Sequence, residues 1–265
     1  MQAPYLGSSL AAPPKSIIMV NDWEEKTMKV TVLSVGGSLI APSPSKDSSP
    51  VPRVNTPFLK DFRALMVEHL GRDENNKVII VCGGGSLARD YQQAFRSVVG
   101  TAPDEEQDWI GIAATRLNGE LMRRIFRQWC VEDLVTDPSA VSVFAGRVMV
   151  AAGWKPGFST DNDAVLLAQR FSADVVVNLT NTVVYSEDPR KNPAAKRLER
   201  ASWKEMIAIV GETWEPGKNV PFDPVAARAA AAARLKVIVT DGRNLANLSA
   251  ILSGGSYIGT TIGPD

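Results

Sequence analysis

The chain has 265 residues, 45% of them hydrophobic, enough to bury a sizeable core as one large α/β domain or two closely joined lobes. Its 29 basic and 29 acidic residues cancel to a formal net charge of zero, so no basic surface argues for nucleic acid or an anionic membrane. With one histidine, His69, a histidine-based metal site is excluded; Cys82 and Cys130 form no CxxC pair and read as buried free thiols.

In chain order, residues 1–27 carry prolines and little periodicity and read as a disordered tail or upstream extension; Met19 or Met28 can serve as the true start. A first strand is expected at 30–35, followed by a glycine turn and a proline-rich polar loop at 41–57 that reads as a mobile surface segment. Helix 58–70, with His69 as a surface residue at its end, precedes strand 77–82, helix 86–98 and a long helix from about 105 to 128. In that long helix Trp109, Ile112, Ala113, Leu117, Leu121 and Ile125 recur at helical spacing. Short strands near 133–136 and 147–152, helix 162–171 and strand 174–179 come next. The remainder reads as a hairpin near 183–185, helices 203–210 and 224–234, strand 236–240, helix 244–252 and a closing strand near 257–262. The alternation predicts a three-layer α/β/α sandwich around a central, mainly parallel sheet. No stretch is long and apolar enough to cross a membrane, and a cytoplasmic location is expected.

Three glycine-bearing loops follow strand-like runs in this pattern. Gly36-Gly37-Ser38 follows the first strand, Gly83-Gly84-Gly85-Ser86 the second, and GWKPGFSTD, residues 153–161, leads from a strand into a helix. Glycine permits the close backbone approach a phosphate cradle needs, and N–H groups at a helix start attract anions. In the third loop Asp161 reads as the helix cap, a carboxylate able to organise a metal or other cation beside the anion. Each loop alone is equally an ordinary strand connection; together they point to phosphates gathered at one sheet edge. Gly83, Gly85 and Ala88 also satisfy the dinucleotide fingerprint GxGxxA, but Asp104 to Glu106 open a helix where that reading needs an acid at a strand end. No GxxxxGK[ST] sequence is present.

The order GGS, GGGSLARDY, QDWIGIAATRLN, GWKPGFSTD, NLTN with Tyr185 and Asp188-Pro189, then PFDPVAAR resembles the amino acid kinase family, and within it the uridylate kinases of the archaeal type. The resemblance spans about 28–262. It implies a kinase transferring the ATP γ-phosphoryl group to UMP, with Mg²⁺ carried by ATP rather than by a protein metal site. It also implies a homo-oligomer, a hexamer in that family, in which the long helix 105–128 is a plausible contact. An acceptor-binding part at about 28–172 and an ATP-binding part at about 173–265 are expected.

The resemblance assigns residues. Gly36, Gly37 and Ser38 meet the transferring end of ATP, with Gly85 and Arg89 of the second turn, and Thr180, Asn181, Tyr185 and Asp188 hold its adenosine moiety. Gly84, Asp108, Trp154, Lys155, Pro156, Gly157, Phe158, Ser159 and Thr160 bind UMP, Asp108 through the ribose hydroxyls. Asp161, Arg89 and Lys218 are the catalytic set, with Lys155 a further source of positive charge. From the residues alone, Asp108 is equally a helix-start acid, Phe158 a packing residue, and Arg89, Lys155 and Lys218 solvated side chains.

The chain departs from the family in two places. Ser34 stands where bacterial uridylate kinases place a lysine, an absence shared with the archaeal type. The segment Thr180 to Tyr185 is one residue shorter than the usual TNVDGVY and lacks its Asp-Gly pair. Cys82 and Arg89 occupy positions where isopentenyl phosphate kinases carry histidines, which disfavours that acceptor. The alternative reading is a non-catalytic, nucleotide-binding storage or regulatory protein on the same scaffold, like the molybdenum-storage branch, or a kinase for another small phosphate or carboxylate.

Overall fold

The computed structural model describes residues 29–43, 54–181, 184–187, 192, 194–211 and 220–264. Its elements are β1 (Lys29–Val35), α1 (Gly37–Ile40), α2 (Thr56–Arg72), β2 (Asn76–Cys82), α3 (Gly85–Val99), α4 (Asp104–Ile125), β3 (Val148–Ala151) and α5 (Thr160–Arg170). They are followed by β4 (Val175–Thr180), β5 (Arg200–Ala201), α6 (Trp203–Val210), α7 (Pro224–Ala232), β6 (Val237–Asp241), α8 (Leu245–Leu252) and β7 (Thr260–Ile262). The sheet runs β3-β2-β1-β4-β6-β7-β5, parallel except for the β6–β7 pair. No helix among the described residues is long and apolar enough to cross a membrane.

The central strands are nearly continuous apolar runs because helices cover both faces of the sheet. On one face Val30 and Val32 of β1 pack with Ala164, Val165 and Ala168 of α5 and Ala226 and Ala230 of α7. On the other, Leu33 and Val35 pack with Phe62 and Met66 of α2, Met122 of α4 and Leu248 of α8. This is the three-layer sandwich the sequence predicts.

Register decides where the loops emerge. Val35 pairs with Cys82 on one side and Leu179 on the other, Val81 pairs with Ala151, and Thr180 pairs with Asp241. The carboxyl ends of five parallel strands therefore lie level, and both glycine turns and the 153–161 loop leave from one edge, the usual ligand edge of such sheets.

Several boundaries differ from the expectations. The first glycine turn winds at once into the one-turn helix α1, and Thr56 and Pro57, read as loop, open α2 behind the Asn55 cap, whose side chain accepts from Phe58 N–H. The strand expected at 133–136 is a single bridge, Val135 to Ala151, and the hairpin near Tyr185 is a bridge to Arg197. The two-residue strand β5 is too short to leave a sequence pattern. Residues 44–53 of the polar loop lie outside the described residues.

His69 is 6% exposed rather than on the surface: it is buried in the last turn of α2, its carbonyl accepts from the Asn76 side chain, and burial lowers its pKa. The stripe on α4 is divided as well. Ile112 is buried and Leu121 and Ile125 half-buried, but Trp109, Ala113 and Leu117 are exposed; the face packed inward carries Ala114, Thr115, Asn118, Gly119 and Met122, mostly small or polar residues that let α4 approach α3 and the site.

Candidate active site

The two glycine turns touch. A Cβ built on Gly37 falls 2.0 Å from the Gly85 nitrogen and 2.6 Å from the Gly83 carbonyl carbon, and one on Gly83 falls 2.5 Å from the Gly37 nitrogen. Gly85 has φ of +67°, a conformation glycine adopts without penalty. The contact is pinned by Ser86 N–H donating to Ala41 O and Gly83 N–H donating to Val35 O. Gly36 N–H donates to Leu179 O at 2.9 Å, so this group is spent on the sheet and does not serve the cradle expected of it. Gly37 and Ser38 remain in the first turn of α1, where N–H groups have no carbonyl within the helix to bond.

Asp161 sits in the first turn of α5, and the cap is Ser159, whose side chain accepts from Asn162 N–H at 3.2 Å. The expectation that Asp161 itself caps the helix is thereby corrected: with Ser159 taking that role, the carboxylate is free to point at the sheet. There it accepts from Ser34 Oγ at 2.9 Å and from Asp223 N–H at 3.3 Å, and it also bonds the Asn178 side chain. Burial pushes its pKa up to about 6; the Ser34 bond opposes that rise and the Asp223 charge adds to it. Asp223 caps α7 through Ala226 N–H and bonds the Ser159 side chain, so the starts of α5 and α7 converge on this carboxylate.

The 153–161 loop is held mainly by α4. Asp108 Oδ2 accepts from Gly157 N–H at 2.8 Å, and Thr115 Oγ1 accepts from Gly153 N–H at 2.9 Å. Arg116 donates to the carbonyls of Gly153 and Trp154 at 3.2 and 2.9 Å. The same helix reaches the second glycine turn, where Asn118 Nδ2 donates to the carbonyls of Gly83 at 2.8 Å and Gly84 at 3.2 Å. Trp154 and Phe158 meet edge to face at 5.0 Å, and Lys155 Nζ lies 3.8 Å from the Trp154 ring centre and 4.8 Å from that of Phe158.

The fold thus brings together Gly37, Ser38, Gly84, Gly85, Asp108, the residues Trp154 to Thr160 and Asp161. Arg89 is exposed and donates to Ser43 Oγ at 3.0 Å, at the stem of the polar loop rather than inside the cradle. Thr180 and Asn181 follow at the end of β4, and Tyr185 bridges Arg197. Lys218 and Asp188 lie outside the described residues. Sequence reasoning missed Thr115, Arg116, Asn118, Asp163 and Asn178 as site-building residues. Asn178 and Asn118 carried a signal, polar side chains inside an apolar strand and an apolar helix face; nothing local marked the others.

A parallel α/β sheet with two interlocked glycine turns and an acid-tipped helix start at its carboxyl edge is the framework of a phosphoryl-group kinase. The amino acid kinase family model matches residues 29–241, and the chain belongs to that family. It is 33% identical over 239 residues to a uridylate kinase from Methanospirillum hungatei, covering 89% of this chain and 95% of that one. A uridylate kinase from Pyrococcus abyssi is 31% identical over 237 residues, covering 88% and 99%. The crystal structure of a uridylate kinase from Archaeoglobus fulgidus superposes with a TM-score of 0.70 at 32% identity, covering 89% of this chain and 100% of that one.

Proposed function

We propose that the protein is a uridylate kinase that transfers the γ-phosphoryl group of ATP to UMP, giving ADP and UDP. The observation that carries this reading is the acceptor loop: tied to Asp108 at Gly157, it ends on Asp161 beside the paired glycine turns. The similarity to proteins named uridylate kinase supports the acceptor.

On this reading residues 28–172 provide the acceptor side and 173–265 the donor side. The N–H groups of Gly37 and Ser38, with Gly84 and Gly85, cradle the transferring phosphoryl group, and Thr180, Asn181, Tyr185 and Asp188 hold the adenosine moiety. Asp108 accepts from the acceptor ribose; Trp154, Lys155, Pro156, Gly157, Phe158, Ser159 and Thr160 surround its base and phosphate. Lys155, Lys218 and Arg89 supply positive charge, Arg89 by leaving Ser43 for a phosphate, and Asp161 orders the cationic groups around the moving phosphoryl. Among the described residues no three His, Cys, Asp or Glu side chains are grouped to hold a metal. Mg²⁺ arriving with ATP would supply charge neutralisation for the transfer. A cytoplasmic homo-oligomer is part of the proposal; exposed Trp109 and Leu117 of α4 and Val98 and Val99 of α3 support a subunit contact along these helices.

The test is ADP formation from Mg·ATP with UMP, set against CMP, isopentenyl phosphate, acetylglutamate and no acceptor. UMP-dependent turnover supports the reading; turnover confined to another acceptor, or ATP binding without turnover, overturns it.

A further inference from the structure

Asp163 is a second carboxylate two residues beyond Asp161, and none of the roles above uses it. It is 1% exposed, and its Oδ1 is buried without a hydrogen-bond partner. Its Oδ2 accepts from Trp154 N–H at 3.3 Å, while Arg116 donates to Trp154 O at 2.9 Å from the other side. The Trp154 side chain bonds Asp137, which lies in the connection before β3. Trp154 is therefore gripped at its amide, its carbonyl and its side chain by groups from α5, α4 and that connection. The charges around Asp163 are Arg116, which attracts it, and Asp161 and Asp137, which repel it.

Stability alone gives no reason for this arrangement. A buried carboxylate facing two like charges is costly, and an apolar side chain of similar volume is often neutral or stabilising in such a place. The one hydrogen bond of its side chain is spent on the peptide that opens the acceptor loop, five residues before Ser159, the cap of α5, and three before the Gly157 tie to Asp108.

We propose that Asp163 and Arg116 are positioning residues: acting on the two sides of Trp154, they fix the acceptor loop in the shape that receives the nucleoside monophosphate. The inference rests on the uridylate kinase reading for the identity of the acceptor, though not for the clamp. Removing the clamp then weakens acceptor binding and leaves the donor site and the chemical step nearly intact.

The experiment compares wild type with Asp163→Val, which keeps the volume but accepts no hydrogen bond; Asp163→Asn, which still accepts from Trp154 N–H; and Arg116→Lys, which lacks the planar fork. Asp163→Val is expected to raise KM for UMP about tenfold or more, to change kcat and KM for ATP less than about twofold, and to melt no lower than wild type. Asp163→Asn is expected to recover most of the loss, and Arg116→Lys to fall between. Amide hydrogen exchange supplies a readout independent of turnover: Asp163→Val is expected to exchange faster across 153–159 while β1 and β2 stay protected. An unchanged KM with unchanged exchange at 153–159 overturns the proposal, as does a lowered melting temperature with protection lost throughout the sheet. If wild type does not use UMP, the functional reading has failed, and exchange at 153–159 alone decides the clamp.

Discussion

Ser34 and Asn178 stand opposite each other in the register of β1 and β4, and the side chains of both bond the carboxylate of Asp161. The two-residue period of a strand puts Ser34 on the face of Val30 and Val32, and Asn178 on the face of Val176, which is the face α5 covers. Ser34 thus supplies a hydroxyl that orients the acid. Ser34→Ala is expected to leave the fold intact and to raise the pKa of Asp161, because it removes a donor to the charged form. The measurement is the acidic limb of the kcat profile, which should move to higher pH by about one unit, with a double Ser34→Ala, Asn178→Ala variant moving further.

The pH dependence of wild type follows from the same carboxylate. In the proposed role Asp161 acts ionised, and burial raises its pKa to about 6. Turnover should be level above pH 7 and fall about tenfold per unit below 6. Stability has the opposite sign. Asp161 and Asp163, at about 6 and about 7, are both raised above the 3.8 of an unfolded aspartate, so the native state binds more protons between those values. Their contribution is full below about pH 4 and is lost as pH rises through 6 and 7, by at most about 1.4 kcal/mol per unit for each group. Thermal unfolding across this range should show the slope, and Asp163→Asn should flatten its upper part.

Contact between the two glycine turns predicts a severe backbone effect. Gly37→Ala places a methyl 2.0 Å from the Gly85 nitrogen, where the neighbours are backbone and cannot swing away. The expected cost is about 3 kcal/mol or more, read from urea unfolding. A loss below about 1 kcal/mol would show that the turns can separate.

Much of this fold was legible because its strands are continuous apolar runs that alternate with segments of helical spacing. The site was legible where glycine or a special loop marked it, as at Gly37, Gly85 and the GWKPGFSTD segment. What the pattern could not reveal was direction: whether Gly36 N–H faces a ligand or Leu179, whether His69 turns inward, or that Ser159 rather than Asp161 caps α5. Residues such as Arg116 and Asp163 act through neighbours distant in sequence, so only the packed structure brings them together.

Arg89→Ala tests whether the exposed guanidinium leaves Ser43 to meet a phosphate. Loss of one charge-assisted contact is expected to weaken nucleotide binding by about 1.5–3 kcal/mol, measurable by calorimetry. Unchanged affinity would return Arg89 to the solvated face of α3.

The most direct test of the central claim is UMP-dependent ADP formation by purified Asp161→Asn alongside wild type, with circular dichroism and melting as controls on folding. The account predicts that the variant folds as wild type does and that turnover falls about a hundred- to a thousandfold, as when a preorganised electrostatic group is removed from a transfer site. Full turnover by a correctly folded Asp161→Asn protein would contradict it.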